Sequence, residues 1–326
     1  GNEEKILQHG GRNERKIRVF CRIRPVNRSE ATQGGAIVVD KLDDYSVSVE
    51  TLRGLREFQF DKVFSAEASQ ELMQSVIDGF NVCIFAYGQT GSGKTFTMVG
   101  DKDQKNPGIM PRSFNAIFNI MQENTSKFDF KPQVSAYMLE LYNDRLQDLF
   151  VSQTGEAHAQ TQPHGPTRRV EIKRNRKGVV FAQGAETKEA SSAQELYALF
   201  QQACANRHIS ATMNVESSRS HLIVGIMVES RNLTNGSVNS GKLSLVDLAG
   251  SERAAKTGAK DHQLKEANSI NKSLSALGDV ISALSAELPH VPYRNSKLTQ
   301  YATRVKAITN NAQRNVDSKE IAQLKE

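Results

Sequence analysis

The chain has 326 residues, of which 38 % are hydrophobic and 24 % are charged, and its formal net charge at pH 7 is +6. This size and apolar content support a sizeable core, as one large domain or two small ones, and exclude fibrous proteins. No apolar run reaches the roughly 20 residues of a membrane span, and the N-terminus lacks the apolar stretch of a signal peptide. The basic charge predicts an acidic partner, with nucleic acid, anionic membrane and acidic protein filament all open.

Three cysteines, Cys21, Cys83 and Cys204, each lie alone in an apolar or helical segment, with no CxxC spacing. Isolated cysteines in such segments are typical of buried free thiols. We therefore expect a reducing compartment and a cytoplasmic protein.

Strand patterns alternate with helix patterns in the N-terminal half. Charged and apolar residues alternate over Arg18–Ile23, which predicts a strand that ends at Pro25. The continuous apolar run Val82–Tyr87 predicts a strand buried on both faces, as in the middle of a parallel sheet. Other patterns predict strand-like pieces at Ala36–Val39 and Phe58–Phe60, a helix at Ser69–Gly79, a helix from Pro111 with an apolar face of Phe114, Ile117, Phe118 and Met121, and a strand at Val134–Leu141.

The second half begins with residues 152–168, whose Gln, Thr, Gly, His and Pro content predicts a surface loop or a partly disordered insert. Its later patterns predict a helix at 192–206, strands at His221–Glu229 and Lys242–Val246 joined through Asn235-Gly236, and a helix at 264–287 with Leu274, Leu277, Ile281 and Leu284 on its apolar face. Buried strands that alternate with helices predict an α/β fold, in which helices cover both faces of a central mixed sheet.

A complete phosphate-binding motif follows the buried strand. The run Gly88-Gln-Thr-Gly-Ser-Gly-Lys-Thr95 fits G-x-x-x-x-G-K-[ST] and precedes the start of a helix. In this motif the glycines let backbone amides turn toward an anion, and the helix N-terminus adds partial positive charge. Lys94 can reach the β- and γ-phosphates of a nucleotide, and the Thr95 hydroxyl can bind Mg²⁺. The alternative, a chance glycine-rich turn, is disfavoured by the buried strand before it.

Two later segments suit a sensor of the terminal phosphate. Asn214–His221 gathers hydroxyls around Arg219, although this run taken alone is more typical of a solvated loop. Asp247 ends an apolar strand, where a carboxylate can hold Mg²⁺ through water, and the Gly250 amide can contact a γ-phosphate. Arg219 and Glu252 can pair when both loops close on the nucleotide, which predicts a two-state element. No Asn-Lys-x-Asp run occurs in the sequence, which disfavours GTP.

In their order along the chain, these motifs resemble the kinesin motor domain over roughly residues 16–310. The segments that carry the resemblance are Cys21–Pro25, Phe85–Thr95, Asn214–His221, Asp247–Glu252 and Ser269–Gly278. The resemblance implies a P-loop NTPase of kinesin type, an α/β fold with a central mixed β-sheet and helices on both faces. It also implies a microtubule-dependent ATPase motor that binds ATP, ADP and Mg²⁺, with no nucleic-acid partner and no membrane span.

The resemblance assigns roles at the nucleotide site. It places Arg22, Arg24 and Pro25 around the adenine, with Phe96 as the ring neighbour. The phosphates are cradled by Gly88, Gln89, Thr90, Gly91, Ser92, Gly93, Lys94 and Thr95. The Mg²⁺ ligands are Thr95, Ser218 and, through water, Asp247. Hydrolysis depends on positioning and electrostatics rather than on an ordinary general base, and the residues implied are Ser217, Ser218, Arg219, Asp247, Gly250 and Glu252.

The microtubule-binding side is expected on the helix from about residue 264 and on the loops around it. The cationic candidates are Lys256, Lys260, Lys272, Arg294 and Lys297. Between residues 253 and 300 there are seven Lys or Arg residues (253, 256, 260, 265, 272, 294, 297) and four acids (261, 266, 279, 287). This surplus of three cations suits the acidic surface of tubulin, whereas composition alone favours an ordinary solvated helix face.

Further segments point to a subfamily. Gly79–Ile84 and Ala276–Ile281 resemble the C-terminal-motor kinesins, which are typically minus-end-directed, and Ser318–Lys325 resembles the kinesin-like calmodulin-binding proteins. The resemblance divides the chain into the end of a stalk or neck (1–15), a motor domain (16–309) and a neck-like extension (310–326). It further implies a dimer through an N-terminal coiled coil outside this chain, calmodulin or a related Ca²⁺ sensor beyond residue 326, and a cytoplasmic, cytoskeletal location on microtubules, including the spindle.

The chain departs from the family pattern at two places. About two helical turns are missing near Gln70–Glu71, and a few dozen residues with a central strand are missing between Gln300 and Tyr301. We expect omission from a longer chain, which predicts widely separated Cα atoms at 300–301 and a helix from Tyr301 with Val305 and Ile308 on its apolar stripe.

A bonded join at Gln300–Tyr301 predicts something different. Loss of a central strand leaves backbone groups unpaired, so the sheet must rearrange. The chain is then a nucleotide-responsive microtubule-binding protein without motility, or at least a nucleotide-binding one. A generic P-loop ATPase without a filament partner is a third alternative, which the order of the motifs disfavours.

Overall fold

The computed structural model describes residues 17–64, 81–101, 103–130, 134–151, 170–174, 180–210, 219–251, 261–302 and 316–317. The predicted helix at Ser69–Gly79 and the predicted insert at 152–168 therefore lie outside the described residues. Of the predicted extension at 310–326, only Val316–Asp317 is described. The missing turns near Gln70–Glu71 and the stripe residues Val305 and Ile308 also lie outside the described residues.

An eight-stranded mixed sheet forms the centre of the fold. Its long strands lie in the order β8 (Val134–Tyr142), β13 (His221–Asn232), β14 (Val238–Asp247) and β6 (Asn81–Ala86). β13 runs antiparallel to β8 and β14, whereas β6 runs parallel to β14 with Ala86 opposite Asp247. The short strands of this sheet are β7 (Phe128–Asp129), β9 (Arg145–Asp148), β12 (Lys188–Ala190) and β15 (Val316–Asp317).

Helices cover both faces of this sheet. On one face α3 (Ile109–Glu123) and α4 (Ala193–Ser210) bury Phe114 and Phe200, whose ring centroids are 5.8 Å apart. On the other face α5 (Asp261–Ser285) and α6 (Lys297–Tyr301) bury Leu274, Leu277 and Leu298. Alternate residues of a strand point to opposite faces, so neighbouring Met138 and Leu139 of β8 join different core clusters. The predicted α/β fold is confirmed.

Smaller elements surround the main sheet. β1 (Phe20–Arg22) pairs in parallel with β5 (Lys62–Phe64), and β2 (Val39–Lys41), β3 (Ser46–Thr51) and β4 (Gly54–Gln59) form an antiparallel sheet. β10 (Glu171–Arg174) and β11 (Val180–Gln183) form a hairpin, and Tyr293–Asn295 is a 3₁₀ turn. The remaining short helices are α1 (Arg28–Thr32) and α2 (Lys94–Met98). None of the described helices is long and apolar enough to cross a bilayer.

Several predicted details differ from the structure. The strand predicted at Val82–Tyr87 packs against the core on both faces of the sheet, as predicted, but Val82–Ala86 are only half-buried, and β14 is its only strand neighbour in the described part of the chain. Helix α3 begins at Ile109, two residues before Pro111, since Gly108 is its N-cap. Ile281 is 39 % exposed, because the buried stripe of α5 passes through Val280 instead. The cysteines are free as predicted but only partly buried.

The join at Gln300–Tyr301 also differs from the prediction. Both residues lie in α6, and the Gln300 amide donates to the Ser296 carbonyl at 3.0 Å. The expected separation is therefore wrong, and Tyr301 ends a helix instead of starting one. Its hydroxyl lies 2.9 Å from the hydroxyls of both Tyr137 and Ser244, which holds α6 on β8 and β14. Among the described strands, none connects β1 with β6.

Candidate nucleotide-binding site

The parallel pairing of β6 and β14 creates the site. Because Ala86 lies opposite Asp247, the loop after β6 and the loop after β14 leave the sheet at the same edge. The first loop is the phosphate-binding motif, in which Gly91 and Gly93 have φ angles of 79° and 87°. Only glycine adopts such left-handed angles without strain. The turn into α2 therefore depends on these two residues.

Lys94 is the cation of the loop. Its Nζ donates to the Gln89 carbonyl oxygen at 3.0 Å, and the Ser92 amide donates to the same oxygen at 3.1 Å. The side chain is thus folded back over the glycine-rich turn. The ammonium group therefore lies at the loop that the motif predicts to bind the phosphates.

Thr95 and Asp247 meet at the base of the loop. The Thr95 hydroxyl donates to Oδ2 of Asp247 at 2.7 Å, whereas Oδ1 is buried without a hydrogen-bond partner among the described residues. Burial raises the pKa of the Asp247 carboxyl, and the Thr95 hydrogen bond and the charges of Arg207 and Lys94 partly offset that rise. A buried oxygen of this kind calls for a cation or an ordered water. The hydroxyl and carboxylate oxygens fit Mg²⁺, which prefers hard oxygen ligands and keeps waters.

The predicted adenine-binding residues lie beside α2. The Arg22 guanidinium donates to the Thr97 hydroxyl at 2.9 Å and lies 5.2 Å from the centroid of the Phe96 ring. Arg24 pairs with Glu30 at 2.6 Å, and its methylene groups lie close to Gly93. Pro25 and Phe96 are exposed, so a flat ring has access to this surface. Arginine and aromatic faces suit such a ring.

The loop after Asp247 packs directly on the phosphate-binding loop. The Ser251 amide donates to the Gly88 carbonyl at 3.2 Å, and the Leu248 amide donates to the Ala86 carbonyl at 3.3 Å. Gly250 lies so close to Thr90 that a methyl group at Gly250 would overlap the Thr90 hydroxyl. A displacement of one loop must therefore move the other.

Comparison with known proteins identifies the family. The kinesin motor domain family matches residues 22–304. The chain belongs to the kinesin motor-domain family. A solved structure of a fast kinesin, described with its ATPase mechanism and its interactions with microtubules, is similar with a TM-score of 0.76 and 36 % identity, over 89 % of this chain and 81 % of that one.

Relatives of this kinesin chain carry KIN-14 names. Kinesin-like protein KIN-14E of Arabidopsis thaliana is 41 % identical over 95 % of this chain, and KIN-14I of Oryza sativa subsp. japonica is 42 % identical over the same share. These names confirm the predicted relationship to the C-terminal-motor kinesins. The chain spans 27 % of the length of each. The alignment to KIN-14E extends over 353 residues, more than the 326 of this chain, so that relative has residues that this chain lacks.

In this chain, some of the predicted site residues lie close together, and others lie outside the described residues. Arg219 lies in a cleft of about 320 Å³ with Asn268 and Lys272 of α5. The predicted pairing of Arg219 with Glu252 stays a prediction, because Glu252 lies outside the described residues. The other predicted residues that lie outside them are Ser217, Ser218, Lys256 and Lys260.

The described filament-side cations lie on neighbouring elements. Lys272 is exposed on α5, Arg294 is exposed on the 3₁₀ turn, and Lys297 starts α6, where its amide donates to Asp144 Oδ1 at 3.0 Å. These three elements contact one another. The three cations therefore lie on one connected part of the molecule.

Two buried polar groups escaped the sequence analysis. Arg207 is 7 % exposed and binds Glu140 at 3.2 Å, and both contact Ser220. The sequence analysis placed His221 at the end of a hydroxyl-rich run and the start of a strand, without a role for its side chain, yet it is 3 % exposed and accepts a hydrogen bond from the Ala249 amide at 2.9 Å. Their partners are 13 to 67 residues away, so no local pattern reveals them.

Burial of His221 predicts a loss of stability in acid. Burial first, and then the charges of Arg207 and Lys94, lower its pKa to about 4 from an ordinary 6.5. Below pH 6.5 the unfolded chain takes up a proton that the folded chain refuses, so stability falls as the pH drops from 6.5 toward 4. Between pH 7 and pH 5, we expect the free energy of unfolding to fall by about 2 kcal/mol less in His221→Asn than in the wild-type protein. Urea unfolding at both pH values measures it, and an equal loss in both proteins would contradict it.

Proposed function

We propose that this chain is the motor domain of a microtubule-stimulated ATPase, minus-end-directed, that couples ATP hydrolysis to microtubule binding and movement. The observation that carries the proposal is the contact between Thr95 and Asp247 beneath the phosphate-binding loop, with Gly250 against Thr90. Because the two loops contact each other, a γ-phosphate that moves one of them also affects the other.

Each group at the site has a role in hydrolysis. Lys94 neutralises charge on the β- and γ-phosphates, and the Gly250 amide donates a hydrogen bond to a γ-phosphate oxygen. Thr95, Asp247 and Ser218 hold Mg²⁺, which when bound neutralises the charge that develops on the phosphate oxygens. Ser217 orients the attacking water, and Arg219 with Glu252 closes the site. Arg22, Arg24, Pro25 and Phe96 orient the adenine of ATP or ADP.

The proposed filament partner rests on the family and on charge. Exposed cations on α5 and the 3₁₀ turn suit an acidic protein surface, and the related structure of a fast kinesin is described with its interactions with microtubules. Dimerisation through an N-terminal coiled coil, a Ca²⁺ sensor that binds beyond residue 326 and a place on the spindle are the finer parts of the proposal. They rest on the resemblance to the calmodulin-binding kinesins.

One experiment separates the candidate functions. We expect the ATPase rate to rise at least about tenfold when microtubules are added, and gliding assays to show movement toward minus ends. The second candidate, a nucleotide-responsive microtubule binder without motility, rests on the residues that this chain lacks relative to KIN-14E and on the absence of a described strand between β1 and β6. Microtubule binding without ATPase stimulation or gliding supports this second candidate. ATPase activity without either microtubule binding or stimulation supports a generic ATPase.

Glu252→Ala tests the predicted closure with Arg219. If the two residues pair only in the closed state, we expect ATP affinity within about twofold of normal and hydrolysis at least about tenfold slower. Affinity is measured with a fluorescent ATP analogue and turnover by phosphate release. Glu287→Ala, an exposed acid at the end of α5, is the control that should leave both unchanged. Loss of nucleotide binding in Glu252→Ala would show a structural role instead.

A further inference from the structure

A chain of hydrogen bonds connects the loop after β14 with helix α5. The Ala249 amide donates to Nδ1 of His221 at 2.9 Å, and Nε2 of His221 lies 2.9 Å from the Ser273 hydroxyl oxygen. The Ser273 hydroxyl then donates to the Ile270 carbonyl oxygen at 2.7 Å. All three connections are therefore made through two side chains, one on β13 and one on α5.

The direction of these bonds is fixed by chemistry. A backbone N–H only donates, so Nδ1 accepts and the ring proton is on Nε2. Nε2 then donates to Ser273, whose own proton is used by Ile270. A charged imidazolium would leave the Ala249 amide facing a second donor, and the lowered pKa of His221 agrees with a neutral ring.

Both ends of this chain touch functional parts of the molecule. Ala249 precedes Gly250, which packs on Thr90 of the phosphate-binding loop. Ser273 lies next to Lys272, which is exposed on α5. The middle is held in place, because Ser220, the neighbour of His221, is bound by Arg207 and by Glu140 at 2.6 Å.

We propose that His221 is a positioning residue that transmits movement of the Gly250 loop to helix α5. The inference rests on the proposed function, because it assigns the path by which a γ-phosphate alters the filament side. When the loop moves, the Ala249 amide must leave Nδ1 or carry the ring with it. Since a buried unpaired nitrogen is costly, α5 is expected to follow through Ser273.

A double-mutant cycle tests this path. His221→Asn keeps a polar group near the Nδ1 position but does not reach Ser273, and Ser273→Ala removes the other partner. We expect each to lower the microtubule-stimulated ATPase rate roughly tenfold, with the basal rate within about twofold and the double variant no slower than either single one. Ser273→Thr restores the hydroxyl and should recover most of the rate. Ser275→Ala, on the exposed side of α5, is the matched control.

Three results would overturn the proposal: additive losses in the double variant, equal losses of basal and stimulated rates, or no recovery in Ser273→Thr. Nitrogen-15 NMR of the imidazole provides a test that needs no filament. We expect the neutral Nε2–H tautomer in the wild-type chain, and a charged ring or the Nδ1–H tautomer also overturns the proposal. If microtubules do not stimulate the wild-type protein, the proposed function fails. The path through His221 is then tested by the tautomer and by the ADP-release rates of the wild type, the two single variants and the double variant.

Discussion

Thr95→Asn is expected to reduce ATP turnover at least about a hundredfold while leaving the protein folded. The Thr95 hydroxyl is a proposed Mg²⁺ ligand and donates 2.7 Å to the buried Asp247 carboxylate. An amide is bulkier and leaves the metal with poorer coordination beside the γ-phosphate, where charge develops in the transition state. Phosphate release measures turnover, and circular dichroism checks the fold.

Thr95→Ser is the matched control for this change, because it keeps the hydroxyl and loses only a methyl group. We expect it to retain turnover within a few-fold of the wild-type rate. Normal turnover in Thr95→Asn would falsify the assignment of this loop as the phosphate site. A Thr95→Asn protein that unfolds would instead point to the hydrogen bond with Asp247 as a structural contact.

Gly250→Ala is expected to have the second largest effect, a loss of turnover of roughly a hundredfold. The added methyl group would overlap the Thr90 hydroxyl oxygen and come within 3.0 Å of the Thr90 backbone nitrogen. Either the loop after β14 or the phosphate-binding loop must then move, which misplaces donors that act on the γ-phosphate. Steady-state turnover and the affinity for a fluorescent ATP analogue separate slower chemistry from weaker binding.

A second-site change tests the steric reason for this loss. Thr90→Ala removes the hydroxyl that the methyl group would overlap, so Gly250→Ala with Thr90→Ala should recover part of the turnover relative to Gly250→Ala alone. Gly278→Ala is the control on α5, because a methyl group there meets no atom within 4 Å. Turnover is expected to stay near wild type in that variant. Unchanged turnover in Gly250→Ala would show that the two loops do not need their close contact.

The phosphate-binding loop could be predicted from the sequence because its residues lie close together along the chain. The spacing of Gly88, Lys94 and Thr95 is set by the backbone path around a phosphate, so the motif is contained in eight consecutive residues. Asp247 was found because it ends an apolar strand. The hairpin of β13 and β14 was also predicted, since Asn235-Gly236 favours a tight turn between two apolar runs.

Other features were decided by pairing between distant segments. The half-exposure of β6 and the place of Tyr301 at the end of α6 depend on which strands and helices adjoin them. The local sequence of a segment does not show which distant segments will pack against it after folding. This is why the sequence did not show that β6 is only half-buried or that Tyr301 ends a helix.

The sequence by itself determined the family, the phosphate-binding loop and the alternation of the main strands and helices, because each is encoded over short stretches by residue type and spacing. Only the tertiary structure decided that Asp247 lies opposite Ala86, that Gly250 rests on Thr90 and that His221 joins Ala249 to Ser273. Those contacts arise from strand register and helix packing between residues 28 to 161 positions apart. Such pairs become neighbours only when the whole sheet forms, so the coupling between them is a property of the fold.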